Sequence, residues 1–257
     1  MLRRLDRLAA LQLRQQALVG AVAVALLSAL RVVSRMWFLT GGSLGEAMQP
    51  AIAALVLESP LGAAVQMRAV GCAALLFLMV GTRFNRWIGA AGAVLICASF
   101  GLRGHVAQGD GGLLPVLVTL HLLTAAFWVG GFRPLYSLAC ADPRAAGEAA
   151  HEFGRLALWA VAVLVAAGGA LLFTLTGGLA ALGTLYGQVF ALKLGAFAIL
   201  LGLAAMNKLR LTPAMRTGSS AAARQLRQSI RMEMRLVLVI LAVTAIVTET
   251  TAAVAAG

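Results

Sequence analysis

Long uninterrupted apolar stretches constrain the fold of this chain more than any other feature of its sequence. About 20 apolar residues in a helix cross the hydrocarbon core of a bilayer, and lipid offers no hydrogen bonds to an unpaired backbone. The sequence therefore predicts an all-α, polytopic transmembrane helical bundle of about seven spans. The apolar stretches cover residues 17–39, 61–81, 87–105, 113–138, 153–176, 187–207 and 230–252.

Composition excludes an ordinary soluble protein. Hydrophobic residues make up 61% of the 257 residues and charged residues 12%, whereas soluble domains average about 25% charged residues. Spans and short loops use up the chain, so we expect a single transmembrane domain over residues 1–257. The apolar run 51–57 lies between Pro50 and Pro60 and is too short to span, which predicts a re-entrant or interfacial helix.

The charges of the chain indicate its orientation in the membrane. The 21 Lys and Arg residues exceed the 9 Asp and Glu residues, giving a net charge of +12. In a soluble protein this excess suggests nucleic acid, but here the cations lie mostly in the N-terminal segment and in the loops predicted at 82–86, 139–152 and 208–231. The positive-inside rule places these segments inside and the C-terminus outside, with lipid headgroups and no nucleic acid as partners. The arginine-rich start has no small-residue cleavage site and predicts a retained first helix.

Two histidines are the candidate metal ligands. His121 lies about nine residues from the outer end of its span, roughly 13 Å deep, where a neutral imidazole can bind a soft metal, relay a proton or simply be a hydrogen-bonded core residue. His105 ends the preceding span at the outer surface, and Asp110 in the same glycine-rich loop offers an oxygen ligand. The depths of the two histidines differ by about 12 Å, so successive stations along a path fit better than one shared metal or haem iron. His151 belongs to a solvated loop.

Other polar and sulfur-containing residues are more ambiguous. The nine methionines are read mostly as packing residues, and Cys72, Cys97 and Cys140 lack the pairing of a disulfide framework, which predicts buried free thiols. Cations in the outer half of the bilayer need carboxylate or phosphate partners, or an anionic ligand such as a chelate or haem propionates. These cations are Arg31, Arg35, Arg68, Arg103 and Lys193.

In the order of its spans, the chain resembles the copper resistance protein D (CopD-like) family of bacterial inner-membrane proteins, over residues 46–252. The segment from His121 to Gly131, HLLTAAFWVGG, resembles the family's H-L-L-x-A-x-x-W-x-G-G element. The further residues that carry the resemblance are Gly104-His105, Tyr186-Gly187, Lys193, Asn207, Pro213, Leu57 to Gly62, Arg68, Arg227-Gln228-Ser229 and Glu233.

The resemblance implies copper handling in the bacterial inner membrane, usually from the periplasm towards the cytoplasm and often beside a small periplasmic copper-binding protein. In such a membrane, the distribution of Lys and Arg predicts a cytoplasmic N-terminus and a periplasmic C-terminus. On this basis His105 and His121 are the expected contacts for copper, as Cu(I), and the motifs of Trp128 and Tyr186 are expected to shape the path.

Two other functions fit the same residues. A haem-binding or electron-transfer protein would use His121 as an axial ligand and the outer arginines on the propionates. A structural or assembly subunit would pack its glycine-rich helix faces against other membrane subunits. The sequence contains no Walker-type loop and no D-K-T-G segment, so we expect neither an ATP-driven pump nor an enzyme.

Overall fold

Helices make up the regular secondary structure of the described residues. The computed structural model describes residues 2–80, 82–102, 112–176 and 185–254, with side chains described for 10–80, 82–102, 112–171 and 191–245 except Arg83. The α-helices are α1 Leu2–Leu39, α2 Leu44–Ala47, α3 Pro50–Leu57, α4 Pro60–Leu76, α5 Arg83–Ala98, α6 Leu113–Gly130, α7 Phe132–Ala141, α8 Pro143–Thr176, α9 Leu185–Met206, α10 Thr212–Arg216 and α11 Ser220–Val254. Short 3₁₀ turns follow α4 and α5, and a π turn, Asn207–Leu211, follows α9.

The all-α prediction is confirmed, since the described ranges hold helices and no strand. Six segments of this part of the chain are long and apolar enough to cross a bilayer: Ala10–Leu39, Pro60–Met79, Phe84–Leu102, Leu113–Ala141, Pro143–Leu171 and Ala191–Arg216. The seventh predicted span, 230–252, lies inside α11, and its passage through the bilayer stays a prediction. The short run between Pro50 and Pro60 forms α3, as predicted, with Pro50 at the first helical position.

The predicted loop 139–152 is wrong, because most of it is helical. Asp142 is the one residue between α7 and α8, and its Oδ1 accepts hydrogen bonds from the backbone N–H groups of Arg144 at 2.8 Å and Ala145 at 3.3 Å. Pro143 follows at the first helical position, where its missing N–H costs nothing. The cap therefore starts α8 about ten residues earlier than hydropathy indicates.

The predicted basic loop 208–231 is also mostly helical. The non-helical part is a turn from Thr217 to Ser219, in which Gly218 has a φ of 93° that favours glycine. The hydroxyl of Ser219 then accepts a hydrogen bond from the N–H of Ala222 at 3.2 Å and caps α11. The basic residues of this segment therefore lie on helices.

The chain consists of two compact units. The N-terminal unit comprises Ala10–Ala126 and Val163–Leu171. In it the end of α1 packs on α2 and α3 through the buried residues Met36, Ala47 and Val56. The C-terminal unit comprises Phe127–Ala162 and Leu172–Gly257 with Met1–Ala9, and α11 packs there against α7, α9 and the π turn.

Helices α4 and α5 cross at a pair of glycines. A Cβ atom on Gly71 would lie 2.7 Å from the carbonyl oxygen of Gly92, and a Cβ on Gly92 would lie 2.6 Å from the carbonyl oxygen of Gly71. Both obstructing atoms belong to the backbone, so no side-chain rotation relieves the clash. Glycine at both positions is what lets the two backbones meet, as small residues do in membrane helix pairs.

We predict that Gly71→Leu destabilises the protein while Gly20→Leu does not. Overpacking at a backbone contact costs about 1–3 kcal/mol, whereas a Cβ on Gly20 would meet nothing within 4 Å. Thermal unfolding of the detergent-purified variants measures the difference. Equal unfolding midpoints for the two variants would show that the α4–α5 crossing does not depend on this glycine.

Candidate functional site

His121 is held at a close approach of two helices in the N-terminal unit. It is half-buried on α6, and its ring faces Gly168 of α8: a Cβ on Gly168 would lie 3.3 Å from both Cε1 and Nδ1 of the imidazole. Contacts that short are tighter than a side chain usually tolerates, so glycine leaves the space that the ring fills. The structure therefore gives the His121 ring a defined, closely packed position on a helix that is long and apolar enough to span a membrane.

The second predicted ligand, His105, lies outside the described residues, together with Arg103 and Asp110. Its role as an outer copper contact stays a prediction. Within the described ranges, no group of three or more His, Cys, Asp or Glu residues converges on a point that could hold a metal ion. A metal at His121 would therefore not be held by a closed cage of these residue types from the described part of the chain.

Arg68, one of the predicted outer-half cations, is 6% exposed in α4. Its Nε donates a 2.8 Å hydrogen bond to the hydroxyl of Ser99, and its guanidinium carbon lies 4.3 Å from the ring centroid of Phe100. Ser99 is fully buried and donates in turn to the carbonyl of Ile96 at 2.6 Å. A hydroxyl and an aromatic face thus share the stabilisation of this buried cation.

The sulfur-containing residues differ in burial. Among the described methionines Met36 and Met215 are buried, whereas five are exposed: Met48, Met79, Met206, Met232 and Met234. All three cysteines are free thiols, as predicted, and Cys72 and Cys97 are half-buried. Cys140, predicted to be buried, is exposed, because it lies near the end of α7 on the side turned away from the helix's buried residues. Met36 is 7% exposed in the core of the N-terminal unit and has a packing role there.

The C-terminal unit contains a cavity of about 270 Å³ that is mostly apolar. Trp128 lies against it, 7% exposed, and its ring makes a T-shaped contact with Phe197 at a centroid distance of 6.3 Å. The neighbouring Gly131 makes room for another lining residue, since a Cβ there would lie 2.4 Å from the Phe153 ring. The predicted role of the Trp128 motif in shaping a path is thus consistent with its position on a cavity wall, whereas the side chain of Tyr186 is not among those described.

One end of this cavity is polar. Glu233 of α11 is 2% exposed, and its Oε1 accepts hydrogen bonds from Asn207 Nδ2 at 2.6 Å and from the Ser229 hydroxyl at 3.1 Å. Lys208 also lines the cavity, and its ammonium group donates to the carbonyl of Gly154 at 3.0 Å. We call Asn207, Ser229 and Glu233 the polar cluster.

The π turn after α9 positions Asn207. Pro213 cannot donate a backbone hydrogen bond, and its ring would clash with the carbonyl four residues earlier in a regular α-helix. The helix widens instead, so that both the N–H and the hydroxyl of Thr212 bond to the carbonyl of Asn207, the hydroxyl at 2.9 Å. Such single π turns often occur at functional sites, and here the turn brings an amide to a buried carboxyl.

A second and more open cavity, of about 580 Å³, has Ser229 of the polar cluster in its wall. Its lining residues include Ser229 but neither Asn207 nor Glu233, whereas the first cavity is lined by Asn207 and Glu233 but not by Ser229. The second cavity is more polar at its wall, with Arg210, Gln225 and Gln228 among the lining residues. The polar cluster therefore has members on two cavities of the same unit.

The members of the polar cluster are among the residues that carry the family resemblance, but the sequence alone indicates no role for them. The usable signal was Glu233, an ionisable residue at the start of a predicted span, which by itself marks a functional candidate. Its convergence with Asn207 was not visible, because the two residues lie on different helices and the π turn sets the direction of the amide.

Residues 147–247 match the model of a protein family described as copper resistance protein D. The match covers less than half of the 257 residues, and no curated protein sequence or solved structure matches the chain. The resemblance to this membrane copper-resistance family is confirmed over that range, which contains the whole polar cluster. His105 and His121 lie before it, so their assignment stays a prediction.

We predict that Gly168→Leu displaces the His121 imidazole and that Gly169→Leu leaves it in place. A Cβ on Gly168 meets the ring at 3.3 Å, whereas a Cβ on Gly169, the next residue of α8, would meet nothing within 4 Å. Nitrogen NMR of ¹⁵N-histidine-labelled protein in detergent reports the ring environment. We expect a shifted His121 resonance in Gly168→Leu alone. Unchanged spectra in both variants would show that Gly168 does not determine the position of the ring.

Proposed function

We propose that this protein carries copper through the bacterial inner membrane, from the periplasmic side towards the cytoplasm. The observation that carries the proposal is the family match over residues 147–247. Six segments suited to crossing a bilayer support it, as does an imidazole seated inside one of them. Copper is the cargo in this proposal, and the protein acts as a carrier rather than as an enzyme.

Passage by ligand exchange suits a path with two histidines at different depths. His105 would receive copper at the outer surface, from a periplasmic copper-binding protein or from solution, and His121 would take it within the bilayer. Imidazole nitrogen is a good ligand for copper, and binding one metal through a single nitrogen leaves the other positions open for the incoming and outgoing ligands. Lone ligands at successive depths hold the cargo weakly enough to let it leave, which conduction requires.

The packing of the His121 ring against Gly168 supports this mechanism, because it fixes the orientation of the ring. A ring that packs closely on a neighbouring helix keeps its orientation, and a ligating histidine needs its ring fixed so that one nitrogen presents its lone pair. Gly168 provides that contact without adding a group that competes for the metal. We infer that the α6–α8 approach presents the imidazole to copper.

We predict that His121→Ala and His105→Ala each lower the copper content of the purified protein and that His151→Ala does not. His151 is the matched control, because it is the remaining histidine and is exposed at the start of α8. Metal analysis of detergent-purified protein after loading with Cu(I) measures the ratio of copper to chain. Unchanged ratios in the His105 and His121 variants would sink the assignment of the ligands.

An absorption spectrum of the same sample separates copper from haem. Haem absorbs strongly in the Soret region and Cu(I) does not, so copper without a Soret band is the expected result. A Soret band that disappears in His121→Ala would instead establish the haem-binding function. Absence of both signals, with no copper uptake into proteoliposomes, would leave a structural or assembly role as the function of this chain.

A further inference from the structure

The polar cluster connects two cavities by hydrogen bonds. Asn207 and Glu233 line the apolar cavity, Ser229 lines the second cavity, and both Asn207 Nδ2 and the Ser229 hydroxyl donate to the same carboxyl oxygen, Glu233 Oε1. Ser229 is 4% exposed and Glu233 is 2% exposed. Hydrogen bonds thus join residues that line the two cavities.

The cluster has spare hydrogen-bonding capacity. Because the carboxylate accepts from Nδ2 of Asn207, the amide oxygen Oδ1 points away from it, and this buried oxygen has no hydrogen-bond partner among the described residues. The hydrogen bonds that the described residues give to Glu233 both go to Oε1, which leaves Oε2 for a donor from the cavity. The two residues that carry these acceptors, Asn207 and Glu233, both line the cavity of about 270 Å³.

The donor set of the cluster does not suit copper. Carboxylate, amide and hydroxyl oxygens are hard ligands, whereas Cu(I) selects sulfur and imidazole nitrogen. A carboxyl group inside a membrane helix bundle has a different established use, as a group that binds and releases a proton along a relay. A serine hydroxyl can pass a proton, since it is both a donor and an acceptor.

We propose that Glu233 is a proton-binding station between the two cavities, with Ser229 as the relay on the side of the second cavity. A hydronium ion in that cavity gives a proton to the Ser229 hydroxyl and becomes water, as this hydroxyl gives its own proton to the Glu233 carboxylate. The carboxylic acid then releases the proton to a water molecule in the apolar cavity, which becomes hydronium, and returns to the carboxylate. No other bond is made or broken, and the step does not require copper.

The charged groups around Glu233 do not form an ion pair with it in the described part of the chain. On the side of α9 and the π turn, Lys208 lines the same cavity but bonds to the carbonyl of Gly154, and Arg210 lines the second cavity. On the side of α7, Arg227 of α11 donates to the carbonyl of Ala139 at 2.8 Å. On α11 itself, Arg231 is exposed. The Glu233 carboxyl therefore accepts hydrogen bonds from neutral donors. Protonation of the carboxylate does not have to break an ion pair with a cation from the described residues.

The alternative role for the same contacts is a mechanical one. The Asn207–Glu233 bond ties the end of α9 to α11 and would stabilise the unit without any change of protonation. Replacing Glu233 tests stability and proton binding at once, so a stability measurement cannot separate the two roles. A direct observation of the carboxyl proton can.

Infrared difference spectroscopy of the full chain in lipid, between acid and alkaline buffer, tests the proposal. The C=O stretch of a protonated carboxyl absorbs at a different infrared frequency from the stretches of a carboxylate. We expect Glu233→Gln to lose one difference band of this kind. Glu148→Gln and Glu152→Gln are the matched controls and should keep that band, because both carboxylates are exposed and paired with arginines, at 3.0 Å to Arg216 and 3.1 Å to Arg155.

Ser229→Ala provides a second test that does not depend on the folding of Glu233→Gln. It keeps the carboxyl and removes one donor from Oε1, so the same difference band should persist at a shifted frequency, since hydrogen bonding sets the frequency of a carboxyl C=O stretch. The proposal is overturned if the wild-type protein shows no band that depends on Glu233 or if the band does not respond to Ser229→Ala. Either result would leave the Asn207–Glu233 bond as a structural tie, with the copper proposal unaffected.

Discussion

Helices in a bilayer gain little from burying apolar side chains against one another, because lipid tails are equally apolar, and their association depends on close packing. Glycine supplies this packing at several points of the chain. Gly71 and Gly92 let two backbones meet, Gly168 leaves the space filled by the His121 ring, and Gly131 does the same beside the apolar cavity. The contacts that hold the helices together are therefore also those that position the side chains with functional chemistry.

The same low-polarity surroundings make each buried polar group expensive unless it is hydrogen-bonded. Arg68 meets this cost with a hydroxyl and an aromatic ring, and Glu233 meets it with an amide and a hydroxyl. Apolar side chains could fill the same buried space if packing were the only role of these two groups. A functional role explains the presence of Arg68 and Glu233 better than stability does. Of these two residues, only Glu233 belongs to a cluster whose members line two cavities.

Hydropathy alone predicted the fold class and the approximate positions of the helices, because a length of apolar chain determines what can cross a bilayer. It failed where single residues decide. Asp142 and Pro143 start a helix inside a stretch predicted as a loop, and a π turn precedes Pro213 at the edge of another predicted loop. The polar cluster was out of reach for the same reason: a window average hides one carboxyl, and no periodicity within α11 shows that an amide from another helix meets it.

Ligand chemistry separates the two candidate sites more sharply than their positions in the sequence do. The segment that matches the copper resistance family contains a buried carboxyl, amide and hydroxyl, which are hard ligands, whereas His121 precedes that segment. The part of this chain that matches the family thus contains the apolar cavity and an oxygen-donor cluster. A protein that moves a soft cation still needs a way to balance charge across a low-dielectric barrier. A histidine that holds the cation and a separate carboxyl that holds a proton would divide those tasks according to what each group binds best.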